Sequence, residues 1–516
     1  MDLTKFEEAC LAHQLRLSLC EAMGVQMLVD TLPHAQESTQ PSDCCATSAL
    51  FNPCGIACDL HGTVYVADTG QHRICMLRNG VISVLAGSGT RGWADGPGSK
   101  AMFAHPCGIA IDADGNVFVA DCGNQRIRQI SPDGMVLTIA GSGSSGHRDG
   151  PGKHAAFNNP CGIAIDYISN DVLYVADYSN NCVRVVSRGG FVSTLTKHTV
   201  PIDSPYGIAV FMQPNELGSH DPRVYVTSYH THSLAEILPD GVVKIIAGCG
   251  VARHADGERA NAAFQAPNGV AVDSEGTLYV ADSGNNCVRS VTPDGYVSTV
   301  AGSGISHMGD GAFNSPCGVC VGMVPDRGTV LLIADRSNSC VRVVPTEALP
   351  PPRVYPSTIR QDLASLLDGS PEYHSGEAVF NVDGRTLSAP KAILCARCPH
   401  FRAMFSSGMR ESFAGSVEVP GVGYATYRSL LSYLLTDELT ADLPTPVLLE
   451  LMMLANAYGV KRLEQLCALA IARLLSERNA KEVLCYAEMI GECYLQRAAE
   501  KLVLNTDISE SPIEIM

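Results

Sequence analysis

The triplet Pro-Xaa-Gly followed by an apolar residue occurs six times, beginning at Pro53, Pro106, Pro160, Pro205, Pro267 and Pro316. A repeat of this kind constrains the fold more than any composition does, because one unit cannot bury its own apolar faces and must stack on its neighbours. Roughly a dozen residues after each triplet comes a short apolar run ending in Ala-Asp. The runs are Tyr65 to Asp68, Phe118 to Asp121, Tyr174 to Asp177, Tyr279 to Asp282 and Leu332 to Asp335; the fourth copy is altered to Tyr225-Val226-Thr227-Ser228. A polar turn and an apolar-Arg alternation follow, as in Ile127-Arg128, Val183-Arg184, Val288-Arg289 and Val341-Arg342. Pro-Asp-Gly turns at Pro132, Pro239 and Pro293 then lead into a last run such as Val297 to Ala301. Each unit therefore offers four short strands rich in Val, Ile and Tyr, separated by Gly, Asn, Asp and Pro turns. Four strands in a unit of roughly 45–60 residues is the arithmetic of a propeller blade.

These motifs, met in the same order six times, resemble the NHL repeat family. The resemblance covers about residues 49–345 and implies a six-bladed β-propeller. The fourth unit departs most, with Ser228 for the Asp and Leu234-Ala235-Glu236 for the apolar-Arg pair. The sixth unit stops after Arg342-Val343-Val344 without an evident fourth strand. An open edge invites aggregation, so a strand from elsewhere should close the ring. The favoured source is Val25 to Leu32, in an N-terminal segment (1–48) that also carries an amphipathic helix over 3–22. Val354 to Ile359 is the alternative, weakened by Pro356.

The loops between units are glycine-rich and pass through Asp-Gly before an Ala…Phe anchor. Large or basic residues precede the Asp-Gly: Arg91 and Trp93 in the first loop, His147 and Arg148 in the second, Arg253 and His254 in the next long one, and His307 in the last. In equivalent blades they form a ring on one face, and Trp and Arg are enriched at binding hot spots, so these seven are the candidate partner-binding residues. The Asp-Gly pairs themselves are read as turn chemistry. The Asp closing each second strand is read as a structural residue bonding amides of the next turn. Phe103, Phe157, Phe264 and Phe313 are assigned to the core between blades.

Leu349-Pro350-Pro351-Pro352-Arg353 is a stiff spacer within a linker assigned to 346–358. Beyond it the chain becomes Leu-rich and helix-forming. Ile359 to Leu367 reads as a helix, Glu377 to Val382 as a strand, Asp383-Gly384 as a hairpin turn, and a helix begins near Pro390-Lys391. Three stretches, Lys391 to Phe405, Ser406 to Ser412 and Leu451 to Leu463, resemble the BTB (POZ) domain, which is assigned to 359–475, with a helical extension and tail over 476–516. The expected fold is thus an all-β six-bladed propeller followed by an α/β BTB/POZ domain with a short helical C-terminal extension.

That resemblance implies homodimerisation and docking to a cullin scaffold. Leu363, Leu366, Leu367, Glu377 and Lys391 are the implied dimer-interface residues. Met409-Arg410-Glu411 matches the apolar-Xaa-Glu motif through which cullin-3 adaptors dock, with Met as a deformable apolar knob and Glu as partner for a scaffold cation. The function implied is a non-catalytic substrate-recognition adaptor of a cullin-3-type ubiquitin ligase, its propeller holding a target protein. A dimeric scaffold without cullin is the alternative, and a metal-dependent propeller enzyme a third class, for which His230-Thr231-His232 is the best local candidate.

Composition narrows the field further. The chain has 516 residues, 36 Lys+Arg against 53 Asp+Glu and a net charge of −17. Nucleic acid is disfavoured as a partner because phosphate contacts need a basic surface. No run is apolar for the roughly 18 residues a membrane span requires, and the acidic N-terminus does not read as a secretory signal. The 21 cysteines are therefore expected to be reduced, in the cytoplasm or nucleus, and to pack as small apolar residues. Cys395-Ala396-Arg397-Cys398 has CxxC spacing, but no second ligand pair answers it. No cofactor and no metal are expected.

Overall fold

The computed structural model describes residues 26–27, 50–169, 171–196, 202–214, 220–304, 306, 312–324, 328–346, 348, 376–406, 416–476 and 478–509. Leu363, Leu366, Leu367, Met409, Arg410, Glu411 and His307 lie outside these residues, as do the expected helix over 3–22 and the Val354 to Ile359 segment. The chain divides into two compact units, Met1–Pro351 and Pro352–Met516. No helix among the described residues is long and apolar enough to cross a membrane.

The first unit is β-rich and propeller-like. Its described residues form six antiparallel sheets of four or five strands, the main strands of each lying beside their sequence neighbours and short strands at Gln26–Met27, Gly96–Pro97 and Gly257–Glu258 adding at outer edges. In the third sheet, Pro160–Ile165, Val172–Asp177, Cys182–Ser187 and Val192–Thr194 run from the inner to the outer edge. The fourth follows the same order with a longer inner hairpin, Pro205–Pro214 and His220–Ser228. In the sixth, Cys340–Pro345 is flanked by Gln26–Met27, which pairs antiparallel through Gln26 with Val343 and Met27 with Arg342. The pairing covers an edge that would otherwise present unpaired amides and carbonyls.

Inner strands touch inner strands through the glycine of each Pro-Xaa-Gly. A Cβ on Gly55, Gly108, Gly162, Gly207, Gly269 or Gly318 would lie closer than 3.0 Å to the carbonyl oxygen of Cys107, Cys161, Tyr206, Asn268, Cys317 or Cys54, respectively. Each of these oxygens belongs to the Xaa of the next triplet, and the last step returns to the first. A side chain at any of the six would push two strands apart, which is why the triplet needs glycine there.

A second contact latches neighbouring sheets. At five of the six steps it joins the residue after the second-strand turn (His72, Gln125, Asn181, His232, Asn286), which is left-handed, to the residue before the next proline (His105, Asn159, Ser204, Ala266, Ser315), which is left-handed too. The backbone N–H of the latter donates to the side chain of the former: His105 to His72 Nδ1 at 3.2 Å, Asn159 to Gln125 Oε1 at 2.6 Å, Ser204 to Asn181 Oδ1 at 2.8 Å, Ala266 to His232 Nδ1 at 3.1 Å and Ser315 to Asn286 Oδ1 at 2.9 Å. His72 accepts only while Nδ1 is unprotonated. Desolvation by burial lowers its pKa, helped by His105 and Arg91 and opposed by Asp68. A lowered histidine pKa means that the unfolded chain takes up the proton first, so the latch is fully present above the unfolded value and is lost as pH falls through the folded one. His72→Asn should keep the bond, as Asn181 and Asn286 do, and should lose less melting temperature than wild type between pH 7.5 and 5.5. An equal loss in both proteins would show that His72 does not titrate against folding.

The second unit begins with the hairpin Glu377–Val382 and Arg385–Pro390, turned by left-handed Asp383 and Gly384. Val417–Glu418 adds parallel to its first strand. Helices Lys391–Arg397, Pro399–Ser406, Tyr424–Thr436, Thr445–Tyr458 and Lys461–Arg473 follow, then Ala480–Ile490 and Cys493–Ser509. Phe380, Phe401, Tyr427, Leu430, Leu451, Met452 and Leu463 form a fully buried core. Arg397 closes the end of Tyr424–Thr436: it bonds the Tyr433 and Leu434 carbonyls and pairs with Asp437.

Candidate functional site

In the propeller-like unit the inter-sheet loops and the turns after the second strands share one face. Asn124, Asn180 and Asn285 of those turns donate to the loop carbonyls of Gly92, Gly146 and Arg253 at 2.7, 2.9 and 3.1 Å. What rigidifies the loops is an arginine clamp. Arg184 is fully buried and reaches Asp177 Oδ2 at 2.8 Å, Asp149 Oδ1 at 2.6 Å and the carbonyls of Ala156 and Arg148 at 3.0 Å each, over the Phe157 ring. Arg128 joins Asp121 and Asp95 over Phe103, and Arg289 joins Asp282 and Asp256 over Phe264, in the same way.

Two sequence expectations are corrected here. Asp95, Asp149 and Asp256 are not turn chemistry alone, since each ties its loop to a buried arginine. For Asp149, partial burial raises the carboxyl, but Arg184 and Thr194 outweigh it and hold the group below the usual carboxylate range. The Asp ending each second strand does not bond backbone amides of the next turn; Asp121 and Asp177 accept from the Asn124 and Asn180 side chains there and from the backbone amides of Ala104 and Asn158, just before their own first strands. Burial is the largest influence on Asp177 and raises it, against the bonds from Asn158, Asn180 and Arg184. Phe103, Phe157, Phe264 and Phe313 are fully buried, as core residues should be.

Of the candidate partner-binding residues, Trp93, His147 and His254 occupy one equivalent position in three loops. Trp93 Nε1 donates to Thr138 Oγ1 at 3.1 Å, and the Nε2 atoms of His147 and His254 bond Thr194 and Thr299 Oγ1 at 3.2 and 3.1 Å. Trp93 remains 51% exposed, with the Arg126 guanidinium 4.0 Å from its ring centroid. Arg91 and Arg253 are exposed, and Arg148 is tied back to the His154 carbonyl. The bonds of Trp93, His147, Arg148, Arg253 and His254 run to different loops and sheets, so these residues form separate points on one face rather than a joined cluster. Phe51 and Val251 add exposed apolar surface there. His230 bonds Ser204 Oγ at 2.8 Å while His232 holds the Ala266 latch, so this pair is engaged separately.

At the axis the face holds a feature that the sequence reading missed. Of the Xaa residues of the six triplets, Cys54, Cys161, Tyr206 and Cys317 line a small central cavity, Cys107 packs with Cys54 and Cys317, and Asn268 donates to Cys317 Sγ. Cys54 Sγ lies 2.9 Å from Cys317 Sγ and 3.2 Å from the Tyr206 hydroxyl. Above them stand the residues that follow the second strands, among them Cys122, Tyr178, Tyr229 and Arg336. Tyr178, Tyr206 and Tyr229 have ring centroids 6.0–6.4 Å apart. Hydrogen bonds from Cys107 and Cys161 hold the Cys122 thiol down to about 5. The signal was the recurrence of Cys as Xaa in four of the six triplets.

In the second unit, Glu377 is exposed and Lys391 half-buried. They do not pair: the Lys391 ammonium lies 5.3 Å from the Phe405 ring centroid. Cys395 and Cys398 are fully buried, pointing at the Phe401 and Tyr458 carbonyls.

Comparison with known proteins accords with this architecture. The BTB/POZ domain family matches residues 373–474, and the NHL repeat family matches 103–130 and 264–289. The chain therefore carries NHL repeats and a BTB/POZ domain. Human NHL repeat-containing protein 2 is 28% identical over 371 residues, covering 63% of this chain and 49% of its own length. Mouse TD and POZ domain-containing protein 4 is 29% identical over 123 residues, or 24% of this chain and 33% of its own. The chain thus spans about half the length of the NHL relatives it matches. A crystal structure of an auxiliary nutrient binding protein from Bacteroides thetaiotaomicron is similar over 62% of this chain and 75% of its own, at 18% identity and a TM-score of 0.44.

Proposed function

We propose that the chain is a non-catalytic substrate-recognition adaptor of a cullin-3-type ubiquitin ligase. The observation that carries this reading is one polypeptide joining a BTB/POZ domain to NHL repeats. The BTB/POZ half, through Leu363, Leu366, Leu367, Glu377 and Lys391, forms a homodimer. Met409-Arg410-Glu411, in the segment after the helix Pro399–Ser406, docks cullin. The first unit acts as a closed six-bladed propeller, supported by the cyclic order of its glycine contacts, and grips a target protein on the face bearing Trp93, His147 and His254. Dimerisation presents two such faces, and a bivalent target gains effective concentration. The work takes place in the cytoplasm or nucleus.

Immobilised full-length protein should retain purified cullin-3. Met409→Ala with Glu411→Lys should weaken that retention at least about tenfold, or roughly 1.4 kcal/mol, while light scattering still reports a dimer. A dimeric wild type that retains no cullin-3 would leave a scaffold without ligase function. A wild type that is monomeric would overturn the BTB part of the proposal.

A further inference from the structure

The cysteines at the propeller axis are more than packing. Cys107 and Cys161 come from the inner strands of the second and third sheets, and Cys122 follows the second strand of the second sheet. Their three sulfurs all lie within 4.8 Å of one another. Among the described residues this is the group of Cys, His, Asp and Glu side chains placed to share a metal ion. None of the three is in a disulfide; Cys107 and Cys161 are buried and Cys122 is partly open to the mouth.

We propose that Cys107, Cys122 and Cys161 form a trigonal three-sulfur site for a single soft d10 cation, copper(I). Sulfurs bound at about 2.3 Å around one ion stand about 4 Å apart, so the site needs to close by less than about 1 Å. Soft thiolate ligands select copper(I) or zinc, and structural zinc takes four ligands. No carboxylate or imidazole belongs to this group, which favours the ion that accepts three sulfurs. The backbone is prepared for it. Cys107 and Cys161 sit in consecutive triplets whose glycines hold the inner strands at fixed separation. Cys122 opens a short 3₁₀ turn that ends in left-handed Gln125, and Gln125 is latched to Asn159, two residues before Cys161. The three ligands are thus carried by two sheets already fastened to each other, so little chain entropy is lost on binding.

An apolar plug is the competing explanation for thiols at this place. The rest of the axial ring argues against it, because Tyr206 and Asn268 are polar and Asn268 Nδ2 points at Cys317 Sγ. Binding leaves the oxidation state of copper unchanged: three thiols lose their protons to solvent and three Cu–S bonds form. The bound unit carries two negative charges, and Arg336 stands at the same mouth.

The test uses the full chain, reduced and kept anaerobic, titrated with copper(I) against the chromogenic chelator bathocuproine disulfonate. Wild type should withhold one equivalent more than Cys107→Ser/Cys161→Ser. Cys122→Ser alone should lower the affinity for that equivalent at least tenfold; this position is partly open, so the substitution should leave folding intact if the double variant fails to fold. Cys395→Ser/Cys398→Ser, which removes the two buried cysteines of the other unit, should withhold as much copper as wild type. Equal retention in wild type and Cys122→Ser would overturn the proposal. So would retention of zinc(II), followed with 4-(2-pyridylazo)resorcinol, in place of copper(I) through the same three thiols.

Discussion

Gly162→Ala should leave the protein largely insoluble, or folded with a melting temperature far below that of wild type. The added methyl would overlap the Tyr206 carbonyl oxygen and crowd Ile208. Those are atoms of the next sheet, mostly backbone, and cannot swing aside as the end of a side chain could. Overpacking a core with a single group costs about 1–3 kcal/mol when side chains can rearrange. Here two inner strands must separate, and because the contacts run in a cycle, a gap at one step strains the other five. We expect about 3 kcal/mol or more, a large share of the stability of a typical domain. Gly384→Ala in the BTB/POZ hairpin is the matched control. It has left-handed geometry (φ +72) and nothing within 4 Å of a new Cβ, so it should cost only the conformational strain of about 1 kcal/mol. Thermal melts of both variants decide the matter. A Gly162→Ala protein melting within a degree or two of wild type would mean that the inner strands are not locked in the way described.

The elements that were legible in the sequence are those whose signal is local. Pro-Xaa-Gly, the apolar run into Asp, and Asp383-Gly384 each specify a strand start, a strand end or a turn from a few consecutive residues, and the structure places strands and turns at those points. The axial thiols were not legible, because Cys54, Cys107, Cys161 and Cys317 stand a full repeat or more apart and converge only once the sheets are arranged about an axis. The clamp was hidden for a different reason. Arg184 sits on an alternating strand, and alternation says which face it points to without saying that a loop covers that face. Its partner Asp149 carries an Asp-Gly signature that turn chemistry already explains. The fourth repeat held the clue: Ser228 stands where the other copies have the strand-ending Asp, and Ala235 where the second, third, fifth and sixth copies have an arginine; the first copy keeps Asp68 but pairs it with Arg73 two residues earlier. The copy without the Asp is also the one without any arginine to meet it, which implies that the two charges belong to each other.

The same pair supplies the second large effect. Arg184→Met should destabilise the propeller-like unit by about 3–5 kcal/mol, because it leaves the Asp177 carboxylate buried without its cation. In melting temperature that is a drop of about 10 °C for a unit of this size. Asp177→Asn added to Arg184→Met should recover at least about 2 kcal/mol, since removing both charges from a buried pair is far less costly than removing one. The Asn retains a carbonyl oxygen for the Asn158 amide, so the loop before the first strand keeps its anchor. Met keeps an unbranched chain of similar length over Phe157. The chain already contains a natural precedent, for the fourth sheet folds with Ser228 and Ala235 both buried and neither charged. The lone Asp149 left behind is 48% exposed and can be hydrated, so it should not cancel the recovery. The comparison to make is between the single Arg184 variant and the double variant, by the thermal transition of the β-rich unit. If the double variant melts no higher than Arg184→Met alone, the loss is one of packing rather than of an uncompensated charge, and the clamp does not act through the Arg184–Asp177 pair.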